Sequence, residues 1–170
     1  YTRMLKKRFP DYRNSDMDEA VFLKWLDDCK KDVMAIDDMI RSSPMEDATV
    51  VFRGETGKDY FKSKYNINAD GSIDELRKEL VGRTYTTTSS TSTSLTMQAA
   101  PIKGSDTEIV YKLYCDKGTP ALNMYELGGS IKYDEQEILL ASGLEFEIFD
   151  VTRENGKLVI SAQPGKNYID

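Results

Sequence analysis

The sequence predicts an α+β fold, helices first and strands after, on three observations. A helical-period apolar pattern occupies the start of the chain. Short β-branched and alternating runs fill the rest. The length, 170 residues, is that of one domain able to bury a sufficient core without cross-links. The expected organisation is a single domain, 1–170, with a helical layer over 1–44 and a β-rich core over 45–170.

Residues 15–42 are predicted as one amphipathic helix. Phe22, Trp25, Leu26, Cys29, Val33, Ile36 and Ile40 recur at three- and four-residue spacing and share a face, while Asp27, Asp28, Lys30, Lys31, Asp37 and Asp38 fill the other. Ser15 is a fitting N-cap, and Ser42-Ser43-Pro44 ends the run. The β-branched run from Ala48 to Arg53 then reads as a strand closed by Gly54. Lys58–Lys64 and Ser72–Leu80 are predicted as short helices around an Asn68–Gly71 turn. Glu108–Tyr114 alternates as a strand does, and Asp116–Gly118 is a turn. Gly128-Gly129 sits in a loop leading to a strand at Glu135–Leu140. Leu144–Thr152 and Lys157–Ala162 form a closing hairpin about Asn155-Gly156.

Composition narrows the chemistry. The 29 acidic and 23 basic residues give a net charge of −6, which argues against nucleic acid or an anionic membrane as partner. The histidine count is zero. That removes Ser-His-Asp and Cys-His hydrolases, imidazole general bases and His-based metal sites. Cys29 and Cys115 lack Cys-x-x-Cys spacing, so no zinc site is expected; one disulfide is possible but nothing requires it. No run reaches the ~18 apolar residues of a membrane span. The chain starts at Tyr1, which reads as a piece of a longer protein with any targeting signal outside it.

Three features can carry chemistry. Arg53 ends an apolar strand, where its stem packs and its fork of donors faces a phosphate or carboxylate; a salt-bridged edge arginine is the plainer alternative. Eleven of the thirteen residues from Thr84 to Thr96 are Ser or Thr. Such a tract is either a linker or a strand whose hydroxyls bond to one another, to a ligand or to a carboxylate. In an extended strand Glu135 and Glu137 share one face, ~7 Å apart. They then form either a site with a raised pKa or a pair of solvated charges.

In this order the three resemble the arginine–serine–glutamate class of mono-ADP-ribosyltransferases, which includes actin-targeting binary toxins and clostridial Rho-modifying exoenzymes. The matching segments are Phe52-Arg53-Gly54, Ser92-Thr93-Ser94-Leu95 and Glu135-Gln136-Glu137 followed by Ile138-Leu139-Leu140. Gly82–Thr86, Lys117–Ala121 and the set Leu139, Leu140, Gly143 and Phe146 also fit, so the resemblance covers about residues 48–162. The chain departs from the pattern at Ser90 and at Lys132, where the class often carries an aromatic. A second Ser-Thr-Ser, Ser90–Ser92, leaves two registers open.

The resemblance implies two roughly perpendicular, antiparallel or mixed sheets flanking an NAD cleft, with no metal. It implies that Arg53 binds the NAD phosphates and Gly54 the nicotinamide amide. Ser92, with Thr93 and Ser94 beside it, lies at the cofactor, and Ser92 holds Glu137. Glu137 contacts the ribose and stabilises the cation, and Glu135 orients a target arginine. The implied acceptor is a host protein with an accessible arginine, actin or another. The implied setting is a secreted or injected bacterial effector acting in the host cytoplasm. A glycohydrolase that depletes NAD and a non-catalytic, partner-binding domain of the same fold are the alternatives.

Overall fold

The structure, a computed structural model, describes residues 19–55, 57–97, 108–124, 126 and 136–165. The chain divides into two units, Tyr1–Asp38 and Met39–Asp170. In the first, helix α1 runs over Glu19–Arg41, its last residues entering the second unit. Phe22 and Trp25 stack with ring centroids 5.9 Å apart, and Lys31 pairs with Asp27 one turn away at 2.7 Å. The apolar stripe predicted for this helix is buried at Phe22 and Ile40 and partly buried at Trp25, Leu26 and Cys29, whereas Val33 and Ile36 are 58% and 42% exposed. Periodicity reports which residues share a face; burial further depends on what lies against it. Ser15 lies outside the described residues.

Among the described residues the second unit is a mixed eight-stranded arrangement with two short helices. Its elements are β1 (Thr49–Glu55), α2 (Lys58–Tyr65), α3 (Ile73–Leu80), β2 (Thr84–Thr86), β3 (Thr91–Ser94), β4 (Ile109–Cys115), β5 (Ala121–Asn123), β6 (Glu137–Leu140), β7 (Glu145–Glu154) and β8 (Lys157–Pro164). The strand order is β2-β7-β8-β4-β1-β3-β6-β5. Among the described strands only β4 and β8 pair in parallel. β1 pairs with β4 along its whole length but meets β3 at the Phe52↔Ser94 pair. A five-strand group and a three-strand group, β3-β6-β5, therefore join at the residue preceding Arg53.

Local chemistry explains the elements. Ser72 caps α3 through a capping box with Glu75, so two backbone donors are satisfied at its start. Asn155 (φ 50°) and Gly156 (φ 79°) make the left-handed two-residue turn of the β7–β8 hairpin. Val51, Tyr111, Leu113, Leu140, Phe146 and Ile160 are buried in one core, each apolar side chain of this size contributing roughly 1.5–3 kcal/mol. β5, only three residues long, has no sequence pattern that predicts it. Both cysteines are free thiols, and burial pushes the Cys115 thiol up to about 12. No described helix is long and apolar enough to cross a membrane.

The hydroxyl tract is not a linker. Thr87 is buried, donates to the Ala141 carbonyl and accepts from the Leu144 amide, both at 2.8 Å. Thr91 donates to the Ser89 carbonyl at 2.8 Å. Thr93 donates to the Ile138 carbonyl at 2.7 Å. Buried hydroxyls that would cost free energy unpaired instead tie the tract to β6 and the turn after it.

Candidate functional site

The site is built where the two strand groups meet. β1 carries Arg53 between Phe52, which pairs with Ser94, and the buried Gly54, which pairs with Val110. The Arg53 guanidinium crosses to β3 and donates from Nη1 to the Ser92 carbonyl at 2.9 Å. A guanidinium carries five N–H donors, so this bond fixes the fork without exhausting it.

β3 pairs with β6 in antiparallel register, Ser92↔Leu139 and Ser94↔Glu137. Ser92 and Glu137 are thus diagonal neighbours on one face. Ser92 Oγ donates to Glu137 Oε1 at 2.6 Å, the short length of a hydroxyl bonded to a carboxylate. Arg53, Ser92 and Glu137 form a continuous chain of contacts across three strands. Ser90, one strand period earlier, has its carbonyl 3.5 Å from the Ser89 hydroxyl; of the two first serines, Ser92 is the one that contacts Glu137.

Thr93 and Ser94 stand differently. The Thr93 hydroxyl is engaged by the Ile138 carbonyl on the opposite face. Ser94 is 3% exposed, and its hydroxyl accepts from the Thr96 amide at 3.2 Å. Neither lines the cleft described below. Glu135 lies outside the described residues. The described strand runs over Glu137–Leu140, and Gln136 before it takes a left-handed backbone, φ 42°. The Gln136 carbonyl accepts from the Leu95 amide at 3.3 Å.

A cleft of about 510 Å³ opens beside Arg53 and Ser92, within the usual range for a small-molecule site, about 300–1,000 Å³. Thr84, Tyr85 and Thr86 of β2, the 88–91 segment, and Gly54, Glu55, Tyr60 and Lys64 complete its lining. Lys64 lies 4.0 Å from Glu55, with its ammonium 4.6 Å from the centroid of the Tyr85 ring. Burial raises the Glu55 carboxyl above its ordinary value and lowers the Lys64 ammonium below its own. This wall escaped the sequence reading. The available signal was spacing: Glu55 follows Arg53 by two in a strand, and Tyr60 and Lys64 are four apart in a helix. Among the described residues no group of three or more His, Cys, Asp or Glu is placed to hold a metal ion.

A model of the ADP-ribosyltransferase exoenzyme family matches residues 11–169. Among solved structures, the chain is similar to C3stau2 from S. aureus, solved with NAD, at 21% identity and a TM-score of 0.66, covering 89% of this chain and 74% of that one. It is similar to the Clostridium limosum C3 exoenzyme at 20% identity and a TM-score of 0.64, covering 82% and 70%. The enzymatic component C2-I of the Clostridium botulinum C2 toxin matches at 20% identity and a TM-score of 0.64, covering 96% of this chain but 39% of that one. No curated protein matches the sequence.

Proposed function

The chain belongs to the ADP-ribosyltransferase exoenzyme family, a toxin family that uses NAD as substrate, and we propose that it is a mono-ADP-ribosyltransferase acting on a protein arginine, with 1–170 as one catalytic domain. The observation that carries this reading is the Arg53–Ser92–Glu137 chain of contacts, in which Arg53 and Ser92 line the cleft and Ser92 Oγ lies 2.6 Å from the Glu137 carboxylate.

The residues divide the work. Arg53 holds the NAD phosphates through its planar fork. Gly54, without a side chain, lets the nicotinamide amide approach the backbone. As the bond from ribose C1′ to the nicotinamide nitrogen breaks, its electron pair leaves with nicotinamide and positive charge grows on the ribose. Glu137, held by Ser92, bonds a ribose hydroxyl and stabilises that charge, which is the contribution a fixed carboxylate makes in a transition state. Thr93 supports β3 against β6, and Ser94 sets the register with Glu137. A guanidine nitrogen of the acceptor then bonds to C1′, and its proton passes to Glu135. Because an arginine side chain has a pKa above about 12, that proton moves only as the new bond forms.

The resemblance to the family favours arginine as acceptor, a glutamate rather than a glutamine standing two residues before Glu137. The proposed setting is a bacterial effector acting on a protein of the host cytoplasm, actin or another. The test is to incubate the protein with tagged NAD and a host-cell lysate and identify the modified side chain by mass spectrometry. Tagged arginine is expected. Tagged asparagine or cysteine would overturn the acceptor assignment, and nicotinamide release without tagged protein would make the chain a glycohydrolase. Absence of nicotinamide release would make it a non-catalytic domain.

A further inference from the structure

The cleft has a second cation whose surroundings are unusual. Lys64, in the last turn of α2, points its ammonium among four tyrosine rings. The centroids lie at 4.6 Å for Tyr85, 5.3 Å for Tyr65 and Tyr111, and 5.9 Å for Tyr60, all within the roughly 6 Å reach of a cation–π contact. Its carboxylate partner, Glu55, stands 4.0 Å away, beyond the roughly 2.7–3.2 Å of an N–H···O hydrogen bond. The Tyr65 and Tyr111 hydroxyls at the back of this cage bond each other at 2.9 Å. Burial pushes the Tyr65 phenol up to about 12, so it stays neutral.

An ammonium has three donors, and a loose ion pair with ring faces satisfies them poorly compared with water or an anion. The side chain is still 25% exposed and lines the cleft together with Arg53 and Ser92. Among the described lining residues Arg53 and Lys64 are the two cations and Glu55 is the one carboxylate. A pyrophosphate carries two negative charges, more than Arg53 alone neutralises. Lysine's four-carbon stem lets the ammonium turn from Glu55 to an anion in the cleft while the methylenes stay against the rings.

Resting on the NAD site described above, we propose that Lys64 is a second contact for the NAD pyrophosphate, parked against Glu55 and the tyrosine cage until the dinucleotide enters. The role is binding and positioning, and bond breaking stays with Glu137. Glu55 then acts as a competitor that holds the ammonium at the cleft wall and keeps it directed inward.

The experiment is calorimetric titration of wild type, Lys64→Met and Lys64→Gln with NAD and, separately, with nicotinamide riboside, which lacks the pyrophosphate. Methionine keeps an unbranched stem against the rings, and melting curves accompany both variants. The expected result is a loss of about ten- to a hundredfold in NAD affinity, as for one charge-assisted contact, with riboside affinity unchanged. The loss should shrink as salt rises. Equal NAD affinity in wild type and variants would overturn the proposal. So would an equal loss for both ligands, or failure of both variants to fold, since either makes Lys64 a strut of the tyrosine cage. Failure of wild type to bind NAD would remove the nucleotide site itself and the proposal with it.

Discussion

The two walls of the cleft, one led by Arg53 and Ser92 and the other by Lys64, Tyr60 and Tyr85, are backed by contacts of opposite kinds. One is a relay of short polar contacts between neighbouring strands, Arg53 to the Ser92 carbonyl at 2.9 Å and Ser92 Oγ to Glu137 at 2.6 Å. The other is a set of ring faces around one ammonium, with its carboxylate 4.0 Å off. The first is rigid because each partner is fixed by strand register. The second leaves its charge underbonded. A wall that must stabilise charge in a transition state needs preorganised partners. A wall that receives a charged ligand needs a cation not already committed to a close anion.

The difference predicts where substitutions act. Glu137→Gln keeps the shape but removes the charge, so nicotinamide release should fall by at least about a hundredfold, the scale of losing one preorganised transition-state contact, with an unchanged melting midpoint. Ser92→Ala should cost about ten- to a hundredfold in the same assay, the value of one hydrogen bond to a charged group. Ser90→Ala should cost far less; the reverse ranking would move the serine motif two residues back.

The tyrosine wall answers in stability instead. Tyr65→Phe leaves the buried Tyr111 hydroxyl without this partner and should cost about 1–3 kcal/mol in urea unfolding. Tyr65→Phe with Tyr111→Phe should cost less than the two single changes added, because no hydroxyl is then orphaned. Additive losses would mean that the hydroxyl pair contributes nothing as a pair.

The smallest effect is a pH dependence. Burial raises the Glu55 carboxyl above the ordinary 4.5, so the folded chain holds that proton more tightly than the unfolded chain. The stability this gives is complete below the unfolded value and is lost as pH rises through the folded one. Wild type should therefore lose stability relative to Glu55→Gln as pH climbs from 4.5 toward neutrality. A difference that does not vary with pH would place Glu55 in water.

How much of this was legible depends on whether a feature is local in sequence. Helix α1, the β7–β8 hairpin and the capped α3 each have their signal inside one short window. So does the relay: an arginine after an apolar run, a hydroxyl tract and a glutamate before Ile138 are each visible, and strand register brings them together. The Lys64 wall is assembled from β1, α2, β2 and β4, and no window contains it. Gln136 shows the other limit. Alternation assumes an extended chain, and Gln136 has a left-handed backbone, φ 42°, that no pattern in the sequence announces. In β5 the pairing to β6 makes a strand of three residues that carry no pattern of their own. The stripe on α1 was correct as a face, yet Val33 and Ile36 remain exposed.

The account's central claim is that Glu137, held by Ser92, performs the bond breaking, while Arg53 and the Lys64 wall hold the dinucleotide. Nicotinamide release measured across NAD concentrations for wild type, Glu137→Gln and Lys64→Met tests it most directly. The predicted result is a split: Glu137→Gln lowers kcat with NAD affinity unchanged, and Lys64→Met raises KM with kcat nearly intact. If both substitutions lower kcat together and leave KM alone, the two walls do one job and the division drawn here is wrong.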